Sequence, residues 1–473
     1  MKPAPSTITP HSTPSTRWIL ASLSLAILLS SLGTSIANVG LPTLALAFNA
    51  SFQQVQWVVI AYLLAITTLI VSVGRLGDLA GRRRLLLAGI VLFTLASILC
   101  GIAPTLNWLI AARAVQGLGA AIMMTLAMAF VGETIPKEKT GSAMGLLGSM
   151  SAVGTALGPS LGGVLIAGLG WQAIFLINIP LGILAFVLAQ RHLPLDRPIA
   201  QRPRFDHLGT LLLAFTLAAY ALAMTMGRGH FGLLNVVLLL AATCGIGLFV
   251  RVEKSAASPL IRLDLLQDSA AGLAMSALVA TVIMATLVVG PFYLSRAFGL
   301  STAHIGLALS IGPIAAALTG TPAGKITDHW GASASTLIGL AGMASGSLLL
   351  TLMSISFGLA GYIAPIVLIT SSYALFQTAN NTAVMGEISK DQRGLVSGLL
   401  NLSRNLGLIT GASLMGAIFA LAAGTNTFNT ASPTAVTHGL KITFALATGL
   451  ILLALVIAIK AYRIQQPLLS QKP

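Results

Sequence analysis

Residues 141–190 contain no Asp, Glu, Lys or Arg, and neither do residues 329–386. A water-soluble domain cannot run that far without a charged side chain and still keep a solvated surface, since about a quarter of soluble-domain residues are charged. The shortage is general: 26 Lys and Arg with 11 Asp and Glu make 8% of 473 residues, against 56% hydrophobic. That excludes an ordinary cytosolic enzyme, a nucleic-acid-binding domain and a disordered chain. The apolar runs are continuous and do not alternate every second residue, so a membrane β-barrel is excluded too. A polytopic α-helical membrane protein remains.

A spanning helix needs about 20 apolar residues. Runs of that length lie near 18–39, 55–74, 84–103, 107–132, 142–167, 171–190, 207–227, 232–252, 270–294, 303–324, 333–356, 360–385, 394–422 and 440–460. Two of the boundaries fall at Gly168-Leu169-Gly170 and Gly358-Leu359-Ala360-Gly361, which split the uncharged stretches. The sequence therefore predicts fourteen membrane helices. The first run is too long for a signal-peptide core and is read as a retained helix.

The net charge of +15 reports orientation. With the N-terminus inside, 21 of the 26 basic residues fall in cytoplasmic tails and loops. Three face outside (Arg228, Arg296, Lys441), two lie within helices (Arg113, Arg404), and all 11 acids are cytoplasmic. The positive-inside rule then predicts an N-in, C-in topology. Basic residues in short loops form no stripe with aromatics, so no nucleic-acid partner is expected. Cys100 and Cys244 both fall in apolar runs and read as small packed side chains.

The chain repeats itself. Gly74, Asp78 and Gly81 recur as Gly324, Asp328 and Gly331, 250 residues on. Gly141, Gly145, Gly154 and Gly158 recur as Gly394, Gly398, Gly407 and Gly411, 253 residues on. Repeats are a common basis of transporter architecture. The organisation expected is a tail over 1–17, a six-helix half over 18–190, a linker and hinge over 191–206, and an inserted helix pair over 207–252. A loop over 253–269, a second six-helix half over 270–462 and a tail over 463–473 follow.

Three motifs carry chemistry. Gly74, Leu76, Gly77, Asp78 and Gly81, followed by Arg82 and Arg83, suit a tight cytoplasmic loop. There Asp78 can face the positive end of a neighbouring helix. Gly145, Gly154, Gly158, Pro159, Gly162 and Gly163 give a flat, bendable helix face, read as a moving contact between halves. Arg113, Gln116, Gly117 and Gly119 place a cation inside a membrane helix, where it costs about 2.5–3.5 kcal/mol on insertion scales. Such an arginine faces a cavity or a partner, or else bonds backbone carbonyls.

These motifs, in this order, resemble the major facilitator superfamily, and the span number resembles its fourteen-helix drug:proton antiporter branch. So do Leu41-Pro42, the run from Ile174 to Pro180, and the run from Phe205 to Gly209. The resemblance implies alternating access of two halves, export of small molecules linked to protons, and residence in the plasma membrane. The sequence departs from that branch where helix 1 usually carries an acid, because Gly33 stands there. It also has Thr125 where a helix 4 proline is expected, and no arginine pair after Gly331.

No acid lies deep in any predicted helix. A cavity holding Arg113 and Arg404 favours neutral or anionic substrates. Asn38, Tyr62, Gln116, Tyr373, Gln377 and Asn381 are candidate hydrogen-bonding groups there. Glu133, near Arg82, is the titratable gate candidate. No P-loop or metal-ligand spacing is present, so no cofactor is expected. No cluster of nucleophile, acid and base suggests an enzyme. The expected partners are a small-molecule substrate, protons and the lipid bilayer, and nothing in the sequence specifies an accessory efflux subunit. The alternative function is movement of neutral or anionic metabolites without proton antiport.

Overall fold

The structure is a computed structural model, and it describes residues 16–135, 137–196, 207–225, 232–255, 269–386, 393–424 and 431–469. Every regular element among them is helical. The first group comprises α1 (Thr16–Val39), the short α2 (Leu41–Ala47), α3 (Phe52–Ala80), α4 (Arg82–Gly101), α5 (Leu106–Thr134), α6 (Lys137–Leu169), α7 (Ala173–Leu176) and α8 (Asn178–His192). A pair follows, α9 (His207–Thr225) and α10 (Leu233–Ser255). The remainder is α11 (Ala270–Ala297), α12 (Thr302–Trp330), α13 (Ala332–Leu352), α14 (Gly358–Gly386), α15 (Arg393–Thr410), α16 (Gly416–Ala422) and α17 (Pro433–Leu469). A single wide π turn, Gly411–Met415, joins α15 to α16.

Among the described residues thirteen helical segments are long and apolar enough to cross a membrane, and Leu208–Ala223 is a shorter apolar helix. Serine and threonine hydroxyls inside them bond the carbonyl one turn back, as Thr67 does to Leu63 and Thr370 to Ile366. These hydroxyls thus stay satisfied where no water reaches. Ser51 and Gln54 form a reciprocal cap that starts α3. Trp18, Trp108 and Trp330 are exposed near helix ends, as interfacial anchors are.

The first helices pack mainly among themselves, α1 on α6 and α5, and α4 on α5 and α8. The later ones do likewise, α11 on α15 and α17, and α13 on α14 and α17. The repeated glycines occupy matching positions in the two sets. A Cβ at Gly154 would lie 2.7 Å from the Leu28 carbonyl oxygen of α1, and one at Gly407 would press on the Ala277 carbonyl of α11. Gly158 meets the Ile36 backbone and Gly411 meets Met284 in the same way. Helices that close require a missing side chain.

Two readings of the sequence change. Residues 74–80 and 324–330 are not loop, because α3 and α12 continue through them. Each turn is then one residue, Gly81 at φ +91° and Gly331 at φ +79°, conformations an L side chain rarely adopts. The glycine face of α6 is also divided. Gly154, Gly158 and Gly162 pack on α1, and only Gly163 and the Pro159 carbonyl meet α12.

Candidate functional site

Arg113 sits two turns into α5 and is fully buried. Its Nε donates to the Val58 carbonyl of α3 at 2.9 Å, and its Nη2 to the Gly33 carbonyl of α1 at 3.0 Å. Nη1 donates to Gln116 Oε1 at 2.6 Å, and Gln116 Nε2 donates to Ser97 Oγ on α4 at 2.7 Å. The guanidinium lies over the Tyr62 ring, 4.0 Å from its centroid, and the Tyr62 hydroxyl donates to the Ser30 carbonyl at 2.8 Å. One cation thereby joins α1, α3, α4 and α5. Planar, multiply donating guanidinium suits this use of backbone carbonyls far better than a lysine ammonium would. Of the two sequence readings, the carbonyl-bonded arginine is the one seen in this conformation.

Gly33 belongs to the same cluster. A Cβ there would lie 2.8 Å from the Tyr62 hydroxyl oxygen and 3.4 Å from Phe93 Cε2. The place where the resembling branch carries an acid is filled by a phenol ring and an arginine bonded to the backbone.

The two sets of helices make close contacts at the end that holds Phe52. The Phe52 ring packs edge-on against Phe292 of α11 and Phe419 of α16, with centroids 4.7 and 5.5 Å away. A Cβ at Gly163 would lie 2.7 Å from the Thr302 carbonyl oxygen, and one at Gly306 would lie 3.0 Å from the Gly163 Cα. From Gly306 the same face of α12 continues, turn by turn, through Pro313, Ala317, Gly320 and Gly324. Ala317 is exposed, and a Cβ at Gly320 or Gly324 would meet nothing within 4 Å. On α6 the face continuing from Gly163 passes Ala156 and reaches Ala152, which is exposed. So α6 and α12 come into backbone contact at Gly163 and Gly306, and farther along the same faces Ala152 and Ala317 are exposed.

At the opposite end an unforeseen residue organises the α3–α4 turn. The Asp196 carboxylate accepts the backbone N–H of Arg83 at 2.7 Å and of Arg84 at 3.1 Å, capping the positive end of α4. The sequence suggested Asp78 for a task of this kind. Arg83 Nη2 donates to the Gln190 carbonyl at 2.5 Å, so the chain beyond α8 is tied to the turn. Gly81 faces this carboxylate, with a Cβ there 2.7 Å from Asp196 Cγ. The sequence signal was an acid in an otherwise basic, proline-rich linker.

The other predicted groups are scattered. Asn38 is buried on α1, its Nδ2 donating to the Thr34 carbonyl at 3.2 Å. Tyr373 and Gln377 are partly buried on α14, Asn381 is exposed, and Arg404 is partly buried on α15 beside Asn401 and Asn405. Arg404 Nε is enclosed and has no hydrogen-bond partner. Asp328 is exposed in the last turn of α12. Gly74, Asp78, Glu133 and Gly145 lie on described helical backbone, but their side-chain surroundings lie outside the described residues. A separate cavity of about 590 Å³ opens between α3, α5 and α9, lined by Trp57, Leu64, Ala111, Ala114 and Ala214. None of the predicted cavity residues lines it.

Residues 23–412 match the model of the Major Facilitator Superfamily. The chain is 33% identical over 401 residues to the uncharacterized transporter YebQ of Escherichia coli, covering 84% of this chain and 87% of that one. It is 32% identical over 416 residues to the multidrug resistance protein Stp of Mycobacterium tuberculosis, covering 85% and 75%. It is 30% identical over 410 residues to the riboflavin transporter RibZ of Clostridioides difficile, covering 85% and 88%. The fold matches the crystal structure of a bacterial homolog of the human lysosomal transporter Spinster, inward-facing and unoccupied, with a TM-score of 0.68. That match has 15% identity and covers 94% and 97% of the two chains. A helical membrane bundle, a glycine-packed seam and these relatives together show that the chain is a transporter belonging to the Major Facilitator Superfamily.

Proposed function

We propose that this transporter exports small organic molecules across the plasma membrane by alternating access, driven by proton antiport. The observation that carries the mechanism is the backbone contact between α6 and α12 at Gly163 and Gly306, with Ala152 and Ala317 exposed farther along the same faces. Parting this contact while the opposite end closes would expose a central path to the other side. Fourteen crossings with both termini in the cytoplasm follow from the basic loops, which makes the Phe52 end external and the opposite end cytoplasmic. Kinship with a multidrug resistance protein supports export of drug-like molecules, and kinship with a riboflavin transporter supports polar, neutral ones.

One observation favours a second reading, in which neutral or anionic molecules move without proton antiport. Gly33 supplies no side chain where the branch carries its acid, and Arg404 keeps an unpartnered Nε within the membrane helices. Everted membrane vesicles with an imposed pH gradient separate the two. Gradient-dependent accumulation of substrate, lost when an ionophore collapses the gradient, is the result expected of proton antiport. Movement of a neutral or anionic molecule that ignores the gradient supports the second reading. No accumulation of cationic, neutral or anionic molecules contradicts export.

A further inference from the structure

We infer that Gln56 is a positioning residue for transport, a latch that holds the Phe52 end shut by docking into the π turn between α15 and α16. The inference rests on the alternating-access reading. Gln56 lies in the first turns of α3 and is fully buried. Its Nε2 donates to the Ala412 carbonyl at 2.8 Å, joining residues 356 positions apart on opposite sides of the seam. Ala412 belongs to Gly411–Met415, where the helix changes its hydrogen-bond register. Such turns interrupt the regular ladder and are frequent at functional sites. Gly416, at the end of the turn, leaves no room for a Cβ against Gln56 Nε2. The absent side chain is what admits the amide.

The surroundings show why this bond can be both selective and reversible. One turn earlier Phe52 wedges between Phe292 and Phe419, so the amide sits behind an aromatic seal. Water is kept from the bond while the seal holds, which strengthens it. Gln56 Oε1, equally enclosed, has no hydrogen-bond partner. An enclosed acceptor without a donor disfavours the closed state and is relieved when the seam opens to water. A latch with one made bond and one orphaned acceptor leaves the two states close in free energy, as a transport cycle needs.

The test reads the seam directly. In a background with Cys100 and Cys244 replaced by alanine, Ala303→Cys places a thiol on the first turn of α12, beside Gly163. Its labelling by a membrane-impermeant maleimide added outside whole cells reports opening. Gln56→Glu, which keeps shape but replaces the donor by an acceptor, and Gln56→Leu should each raise the labelling rate at least about fivefold, the scale of one lost hydrogen bond. Gly416→Ala, which crowds the amide without altering it, should do the same. A purely structural role predicts lower protein yield and an unchanged labelling rate. Labelling within twofold of the parent in all three variants overturns the latch. If the parent's labelling still responds to a pH gradient in that case, alternating access stands and only the latch is lost.

Discussion

Replacing Arg113 with alanine lowers transport at least about tenfold, a factor equal to about 1.4 kcal/mol, and lowers the melting temperature of the purified protein by several degrees. Three hydrogen bonds are lost together, to the carbonyls of Gly33 and Val58 and to Gln116. Side-chain hydrogen bonds within membrane bundles average about 0.6 kcal/mol and reach about 1.7, so the three are worth about 2 kcal/mol or more together. Removing a fully buried side chain also leaves a void between α1, α3 and α5 and takes a cation from the Tyr62 ring. Arg113→Lys does not restore either property, because an ammonium cannot reach three acceptors in one plane. A variant that transports and melts as the parent does would show that this cluster is dispensable.

Gly306→Val holds the Phe52 end open. The new side chain would meet the Pro159 carbonyl and a Cα at Gly163, and these backbone atoms cannot rotate out of the way. Overpacking of this kind costs about 1–3 kcal/mol, which shifts a two-state equilibrium about five- to 150-fold. External maleimide labelling at the Phe52 end rises accordingly while transport falls. Gly320→Val, one face along the same helix where a Cβ meets nothing within 4 Å, leaves both near parental values. If Gly306→Val labels and transports normally, the contact between α6 and α12 is not a gate.

The span positions were legible because apolar runs and glycine breaks are local properties of the chain. So were the equivalences of Gly81 with Gly331 and of Gly154 with Gly407, since a positive φ and a close helix contact each leave a glycine behind. Helix ends were less so: the Gly74–Gly81 motif looks like a loop because it is polar and glycine-rich, yet α3 carries it as helix up to a one-residue turn. What stayed hidden depends on contacts between distant residues. Asp196 caps α4 from 112 or more positions away, and Gln56 reaches Ala412 from 356 away. Periodicity cannot show whether an arginine in a membrane helix faces a cavity or three neighbouring carbonyls, so Arg113 remained open until its surroundings were known. The division of the α6 glycines between α1 and α12 was hidden for the same reason, since a small-residue face does not name its partner.

Two distances measured by pulsed electron paramagnetic resonance test alternating access most directly. One pair of spin labels, at Leu169 and Ser301, spans the Phe52 end, and the other, at Leu146 and Lys325, spans the opposite end; all four positions are exposed or at helix termini. Labels are attached through cysteines in the background lacking Cys100 and Cys244. Alternating access predicts reciprocal change: when a pH gradient or substrate drives the cycle, the Leu169–Ser301 distance lengthens as the Leu146–Lys325 distance shortens. Two distances that stay fixed while substrate continues to cross the membrane would contradict it.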